Sequence, residues 1–324
     1  MNRRMTGIFS ALAMAVLILD AKTALVGARE GIELCIRTVI PSLFPFFLLS
    51  ILLTGTMYGA RIPWVTPICR LFRIPKGGES LLLTGFIAGY PVGAQSVSQA
   101  YETRALSKEA AERMIIFCNQ CGPAFLFGML SNILNVKLCW LLWGIQIISA
   151  LLTALALPGD PTPLPGYPTQ KQISPMTAMR QALQVMGQVC GWIILFRVLM
   201  GYLERWALWY FPDHWKVSIT CLLEISNGCM ALAGLEELSL RFVLCAGMLS
   251  FGGLCVMMQT FSVVSPKLNR RRYFPGKVLQ CAISLILASI MMQRWEILIP
   301  ACLIGGLSLL KIRKNSSIPA AIGV

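Results

Sequence analysis

The chain is 324 residues long, 56% hydrophobic and only 13% charged, with a mean hydropathy of +0.69. Those values exclude an ordinary soluble domain and indicate a polytopic membrane protein whose surroundings are the lipid bilayer. The net charge of +14 does not indicate a nucleic-acid partner. The basic residues sit in short loops between apolar runs, as a positive-inside bias places them, and no polar stretch is long enough for a basic soluble domain.

Arg3 and Arg4 precede the apolar run Met5–Leu19. No convincing small-residue cleavage site follows, so an uncleaved first helix is expected in place of a signal peptide, with the amino terminus cytoplasmic. That helix exits near Asp20, and Val39–Met57 returns. The basic loop Tyr58–Glu79, with Arg61, Arg70, Arg73 and Lys76, then lies inside.

Next comes Leu81–Tyr101, LLLTGFIAGYPVGAQSVSQAY, an apolar segment interrupted by Gly85, Gly89, Pro91 and Gly93. Unpaired backbone is costly in a bilayer, so broken backbone survives only where it is buried in protein or lines a cavity. The segment is therefore read as a re-entrant hairpin, with arms of about ten residues that each cross about half of the hydrocarbon core. Ser107 caps the following helix, with Glu109 and Glu112 near its positive end. Met114–Leu134 goes out, carrying the polar break FCNQCGP at Phe117–Pro123, and Leu138–Leu157 comes back. Six prolines in 157–175 favour an extended cytoplasmic linker, 158–175, between halves 1–157 and 176–324.

In the second half, Met176–Leu203 goes out. Val217–Leu235, VSITCLLEISNGCMALAGL, is interrupted at Ser226, Asn227 and Gly228 and reads as a second hairpin entering from outside. Phe242–Val264 returns with a glycine-rich break at Ser250–Gly253. The loop Ser265–Lys277, with Lys267, Arg270, Arg271, Arg272 and Lys277, lies inside. Val278–Met292 and Ile297–Leu310 form a final pair before a cytoplasmic tail with Lys311, Arg313 and Lys314. The expected fold is an all-α inverted-repeat bundle of about eight transmembrane helices and two re-entrant hairpins. Paired broken segments in matching places are the sequence pointer to a secondary transporter's binding site.

Candidate site residues follow from those breaks. Glu224 places a carboxylate near a span centre, where it must face a cavity or a partner. It is read either as a binding or ion-coupling group or as a structural acceptor for the amides of Asn227 and Gly228. Gly89 and Gly93 let a half-helix start near the midplane, with amides and dipole aimed at an anionic group, or they serve close helix packing. Gln95 lies in the same turn, and Tyr90 offers a ring for stacking or for an interface. Asn119 and Gln120 suit a small polar ligand or act as helix–helix glue. Ser226, Asn227, Gly252 and Gly253 approach from the other half. Arg197, seven residues before Glu204, either snorkels outward or offers a cation to an anionic substrate.

Twelve cysteines fall mostly within apolar runs, as small buried hydrophobes and not as a disulfide framework. Cys118 and Cys121 form a lone CxxC without the ligands that structural zinc needs. No metal, cofactor, ATP-binding loop or credible acid–base pair is read, so an enzyme is not expected.

Several motifs together carry a family resemblance. They are Pro41-Ser-Leu-Phe-Pro-Phe-Phe47, Gly89-Tyr-Pro-Val-Gly-Ala94, Leu106-Ser-Lys-Glu-Ala-Ala-Glu-Arg113, and Phe117-Cys-Asn119 with Gly122-Pro123. Leu223-Glu-Ile-Ser-Asn-Gly228, Phe251-Gly-Gly-Leu254, Gln259 and Gly276-Lys277 follow in the second half. In this order they resemble the YlbJ-type sporulation integral membrane proteins of the nucleoside-recognition Gate group. The chain departs from that pattern at Gln95, at Asn119-Gln120-Cys121, at Cys255 and at Met257. The resemblance implies hairpin-containing repeats like those of concentrative nucleoside transporters and a role in endospore formation. It also implies movement of dipicolinate, a small aromatic dicarboxylate, across the membrane around the forespore, with the outer forespore membrane as the location. A nucleoside-like solute permease is the alternative. So is a non-transporting component that assembles with itself or with sporulation membrane partners.

Overall fold

The computed structural model describes residues 3–57, 62–159 and 173–316. Most of the proline-rich linker, 160–172, and Arg61 fall outside the described residues. Every regular element among them is helical.

The first half comprises α1 (Arg3–Leu19), α2 (Ala21–Leu34), α3 (Ile40–Met57), α4 (Thr66–Leu71), α5 (Glu79–Ile87), α6 (Val92–Glu102), α7 (Lys108–Phe117), α8 (Pro123–Met129) and α9 (Val136–Ala156). The second comprises α10 (Pro175–Trp206), α11 (Asp213–Leu223), α12 (Ile225–Ala233), α13 (Leu238–Phe251), α14 (Gly253–Val263), α15 (Tyr273–Met291) and α16 (Leu298–Ser316). Six stretches are long and apolar enough to cross a membrane: Ala21–Leu53, Val136–Ala156, Pro175–Trp206, Leu238–Val263, Tyr273–Met291 and Trp295–Asn315. The helix Arg4–Leu19 is apolar but shorter, and α7 and α8 are separated by Cys118–Gly122.

The helix ends follow local chemistry. Ser107 accepts from the Ala110 amide at 3.2 Å, as expected of an N-cap. Asn135 and Ser174 do the same for Leu138 and Thr177, the latter with Pro175 in the first turn. Gly252 ends α13 with φ +84°, a left-handed conformation that glycine adopts without Cβ strain.

Four expectations are corrected. Residues 21–38 are not a loop: α2 runs through a π-helical turn, Cys35–Val39, directly into α3. The stretch Ala21–Leu53, 33 residues, is about 50 Å long against a hydrocarbon core of about 30 Å, so its charged half, from Lys22 to Arg37, extends past an apolar half. The last helix is a full 19 residues, Leu298–Ser316. The second hairpin breaks at Glu224 alone, while Ser226, Asn227 and Gly228 lie in the first turns of α12. Finally, Lys277 does not sit in a basic loop. Helix α15 begins at Tyr273, and Lys277 is 2% exposed inside it.

Both broken segments fold back on themselves. A Cβ on Gly93 would lie 2.9 Å from the Cα of Gly85, so α5 and α6 face each other across their break. In the second half the equivalent probe on Gly228 comes within 3.0 Å of the Cys221 Cα, pairing α11 with α12. The long helices α2–α3 and α10 lie antiparallel along most of their length. Gly27 contacts Val198, Gly31 contacts Ile194, and Cys35 donates weakly to the Cys190 carbonyl. Small residues allow that close approach where lipid supplies no hydrophobic driving force between helices. On the other side, α9, α13 and α15 converge on the Ala246 carbonyl, which accepts from Gln146 Nε2 at 3.1 Å and Ser284 Oγ at 3.0 Å. Arg113 ties the amino-proximal loop to this block. Its guanidinium donates to the carbonyls of Arg73, Phe72 and Ala154 and lies over the Phe117 ring. The two hairpins are held between these walls.

Candidate functional site

The tip of the first hairpin is Ala88–Pro91, where Gly89 has φ +78° and the Tyr90–Pro91 peptide is cis. A Cβ on Gly89 would meet the Gly122 amide nitrogen at 2.8 Å. The hairpin break therefore lies directly against the break between α7 and α8. One backbone bond joins them, from the Tyr90 amide to the Gln120 carbonyl at 2.8 Å. Gly85 and Gly93 share another neighbour. A Cβ on either would run into the carbonyl of Cys118, at the end of α7.

The tip of the second hairpin is Glu224, extended at φ −149° and 1% exposed. Its Oε1 accepts from the Ser226 amide at 2.9 Å, and its Oε2 from the Asn227 amide at 2.8 Å and from Asn227 Nδ2 at 2.7 Å. The carboxylate is thus an N-cap for α12, where the free amides and the positive helix end favour it. Gly253 packs this tip against the second half's own break, since its Cβ would meet the carbonyls of Leu223 and Leu222.

The two tips meet. A small cavity of about 30 Å³ is lined by Ala88, Gly89 and Tyr90 from one hairpin and Glu224, Ile225 and Ser226 from the other. Gly122, Phe125, Val256 and Gln259 complete it, with apolar side chains of α3 and α10. That volume holds about one or two waters. Tyr90 is 8% exposed, and its hydroxyl has no nitrogen or oxygen partner, with the Cys121 thiol beside it.

A wider cleft of about 760 Å³ opens next to this cavity. Helix α8 gives Phe125 to the cavity and Gly128 and Met129 to the cleft. Helix α12 gives Ser226 to the cavity and Asn227 and Met230 to the cleft. The Asn227–Glu224 hydrogen bond thus stands in the wall between the two spaces. Charged groups ring the cleft. Arg197 pairs with Glu30 at 2.5 Å and Glu204 at 3.1 Å, and Arg37 pairs with Glu33 at 3.0 Å.

Behind the first hairpin lies a buried polar network. Asn119 Nδ2 donates to Thr260 Oγ1 at 2.8 Å and to the Tyr273 hydroxyl at 3.0 Å. Gln120 and Gln280 exchange side-chain hydrogen bonds at 3.1 and 2.5 Å. The Lys277 ammonium donates to the Asn119 carbonyl at 3.1 Å and to Gln280 Oε1 at 2.9 Å.

Among the residues singled out from the sequence, Gly89, Tyr90, Glu224 and Ser226 line the cavity. Asn119 and Gln120 stand behind it, Asn227 faces the cleft, and Gly93, Gly252 and Gly253 shape backbone approaches. Gln95 is half-buried and away from the cavity, and Arg197 belongs to the charged cleft. Sequence reasoning missed Thr260, Tyr273, Lys277 and Gln280. A signal was present. Tyr273, Lys277, Gln280 and Ser284 recur at helical spacing as one polar stripe, and all four are buried.

One curated relative is the sporulation integral membrane protein YlbJ of Bacillus subtilis (strain 168), 33% identical over 119 residues. The match covers 35% of this chain and 28% of the relative's length. No family model and no solved structure matches the chain. The chain is thus a helical membrane protein with a sporulation-protein relative.

Proposed function

We propose that this chain is a membrane permease for a small organic anion and that it acts during sporulation, with dipicolinate as the first substrate to test. The observation that carries this reading is the meeting of two broken hairpins, one from each half, on one small cavity. Broken helices converging near the middle of a bundle are how secondary transporters supply amides, carbonyls and helix ends to a solute without exposing them to lipid.

The element order supports an internal repeat. A helical hairpin, an interrupted helix pair and a long helix follow one another as α5–α9 and again as α11–α15. In this reading the repeats are inverted, the hairpins are re-entrant and both termini are cytoplasmic. A cysteine replacing Arg104 then labels only from the cytoplasmic side, and one replacing Glu236 only from the other, in a background where the exposed Cys302 is serine. The Asn227–Glu224 wall is the barrier between cleft and cavity, and the structure is the closed state of an alternating-access cycle. The deciding experiment is uptake of radiolabelled dipicolinate into vesicles containing the purified protein. Saturable uptake above protein-free vesicles is expected. Uptake equal to the empty control would reject the permease reading in favour of a non-transporting sporulation component.

A further inference from the structure

Among the described cations near the hairpins, Arg197 and Lys277 differ sharply in their surroundings. Arg197 has two carboxylate partners and lines an open cleft. Lys277 has neither. It is 2% exposed, and no described carboxylate lies within ion-pair distance. Its two hydrogen bonds go to neutral acceptors, the Asn119 carbonyl and Gln280 Oε1. An ammonium carries three donors, so one remains without a bond. The end of α7 supplies a partial negative charge nearby, which is about half a charge and does not neutralise a full one.

Further unfilled polar capacity lies around it. Asn119 Oδ1 is buried without a nitrogen or oxygen partner, and the Tyr90 hydroxyl has only the Cys121 thiol. Cys121 neighbours both Tyr90 and Lys277, so the ammonium sits behind the hairpin tip that walls the cavity. A buried ammonium without a counter-ion is unfavourable, so such an amine either sheds its proton or binds an anion. Between Lys277 and the cavity lies the contact of the hairpin tip with the α7–α8 break, made by the Tyr90–Gln120 backbone hydrogen bond and the close approach of Gly89 to Gly122.

We infer that Lys277 is the cationic subsite for the carboxylate of a small organic anion, reached when the hairpin tip at Tyr90 moves away from Gln120. The carboxylate takes the place of the neutral acceptors at the ammonium, and the Tyr90 hydroxyl donates to it. This rests on the permease reading above and assigns the anion's binding charge to α15 and not to Arg197.

The test uses the full-length protein in detergent, with dipicolinate and phthalate as carboxylate probes and uridine as a neutral control, read by the thermal unfolding midpoint. The carboxylates are expected to raise the midpoint of the wild type, and uridine to leave it unchanged. Lys277→Gln should weaken the apparent carboxylate affinity at least about tenfold, the scale of a lost charge-assisted hydrogen bond. Gln280→Glu is the second variant. It places a carboxylate of the chain itself at the ammonium, keeps the side-chain shape and should abolish the response by internal competition. A folded Lys277→Gln or Gln280→Glu protein that responds like the wild type overturns the inference, as does a wild type that no carboxylate stabilises. Vesicle uptake separates the two readings. Wild-type uptake that both variants retain rejects the Lys277 subsite and leaves the permease intact. Absent uptake, with stabilisation lost in both variants, rejects transport and keeps the anion site.

Discussion

The two hairpins turn in the same way but stabilise their turns with different chemistry. The first spends four residues, Ala88–Pro91, on a neutral break. Its groups are satisfied by neighbouring backbone: Tyr90 N on Gln120 O, Gly89 against Gly122, and Gly85 and Gly93 around the Cys118 carbonyl. The second spends a single residue, and Glu224 satisfies the start of α12 with its own carboxylate. Backbone approach demands that side chains be absent. A carboxylate cap demands three donors and shelter from lipid. The first hairpin is therefore sensitive to added volume, and the second to lost charge.

That contrast can be broken at four points, from the largest expected effect to the smallest. Gly93→Leu drives a side chain into the Cys118 carbonyl, which is backbone and cannot rotate away. A destabilisation of about 3 kcal/mol or more is expected, read as loss of the monodisperse peak in detergent. Recovery of a normally folded Gly93→Leu protein would contradict the close packing. Glu224→Ala leaves three donors unmet at about 1–3 kcal/mol each before relaxation, so its thermal midpoint should fall almost as far.

Glu224→Gln sharpens the comparison. Both carboxylate oxygens accept bonds, whereas an amide offers one oxygen and turns its NH₂ toward a donor on the other side. About 1–2 kcal/mol of destabilisation is expected, and a wild-type midpoint would show that the cap needs only one acceptor. The smallest effect belongs to Tyr90→Phe. The lost hydroxyl has no nitrogen or oxygen partner, so stability should change by less than about 1 kcal/mol, while carboxylate affinity falls. Unchanged affinity would remove the hydroxyl from the anion's contacts.

Much of the fold is legible in the residues. The apolar runs announce the long helices, Ser107 announces the start of α7, and glycine and proline announce three of the four interruptions, the fourth being the break at Glu224. Boundaries are less legible where charge and helix coexist. Lys22–Arg37 reads as a loop because charged residues rarely lie in spans, yet it is helical because it has good helix formers and a partner, α10, along one face. Ser226–Gly228 reads as the second break because those residue types disfavour helix interiors. The first turns of a helix tolerate them, and the capping residue was Glu224.

The sequence by itself determined the solvent: a composition this apolar can be satisfied only in a bilayer, and there the backbone must be helical, with breaks confined to protein interior. It also determined where those breaks fall, because glycine, proline and a lone carboxylate act on their immediate neighbours. Which breaks face one another was decided only in three dimensions. Tyr90 and Glu224 are far apart in the chain and share a cavity because the two halves close on each other. The same holds for Lys277, whose charge reads as a loop residue one step before an apolar run. Its burial depends on Asn119 and Gln280 offering acceptors at the right depth. Local propensity cannot encode that, because the environment of a buried charge is made by residues far from it in the chain.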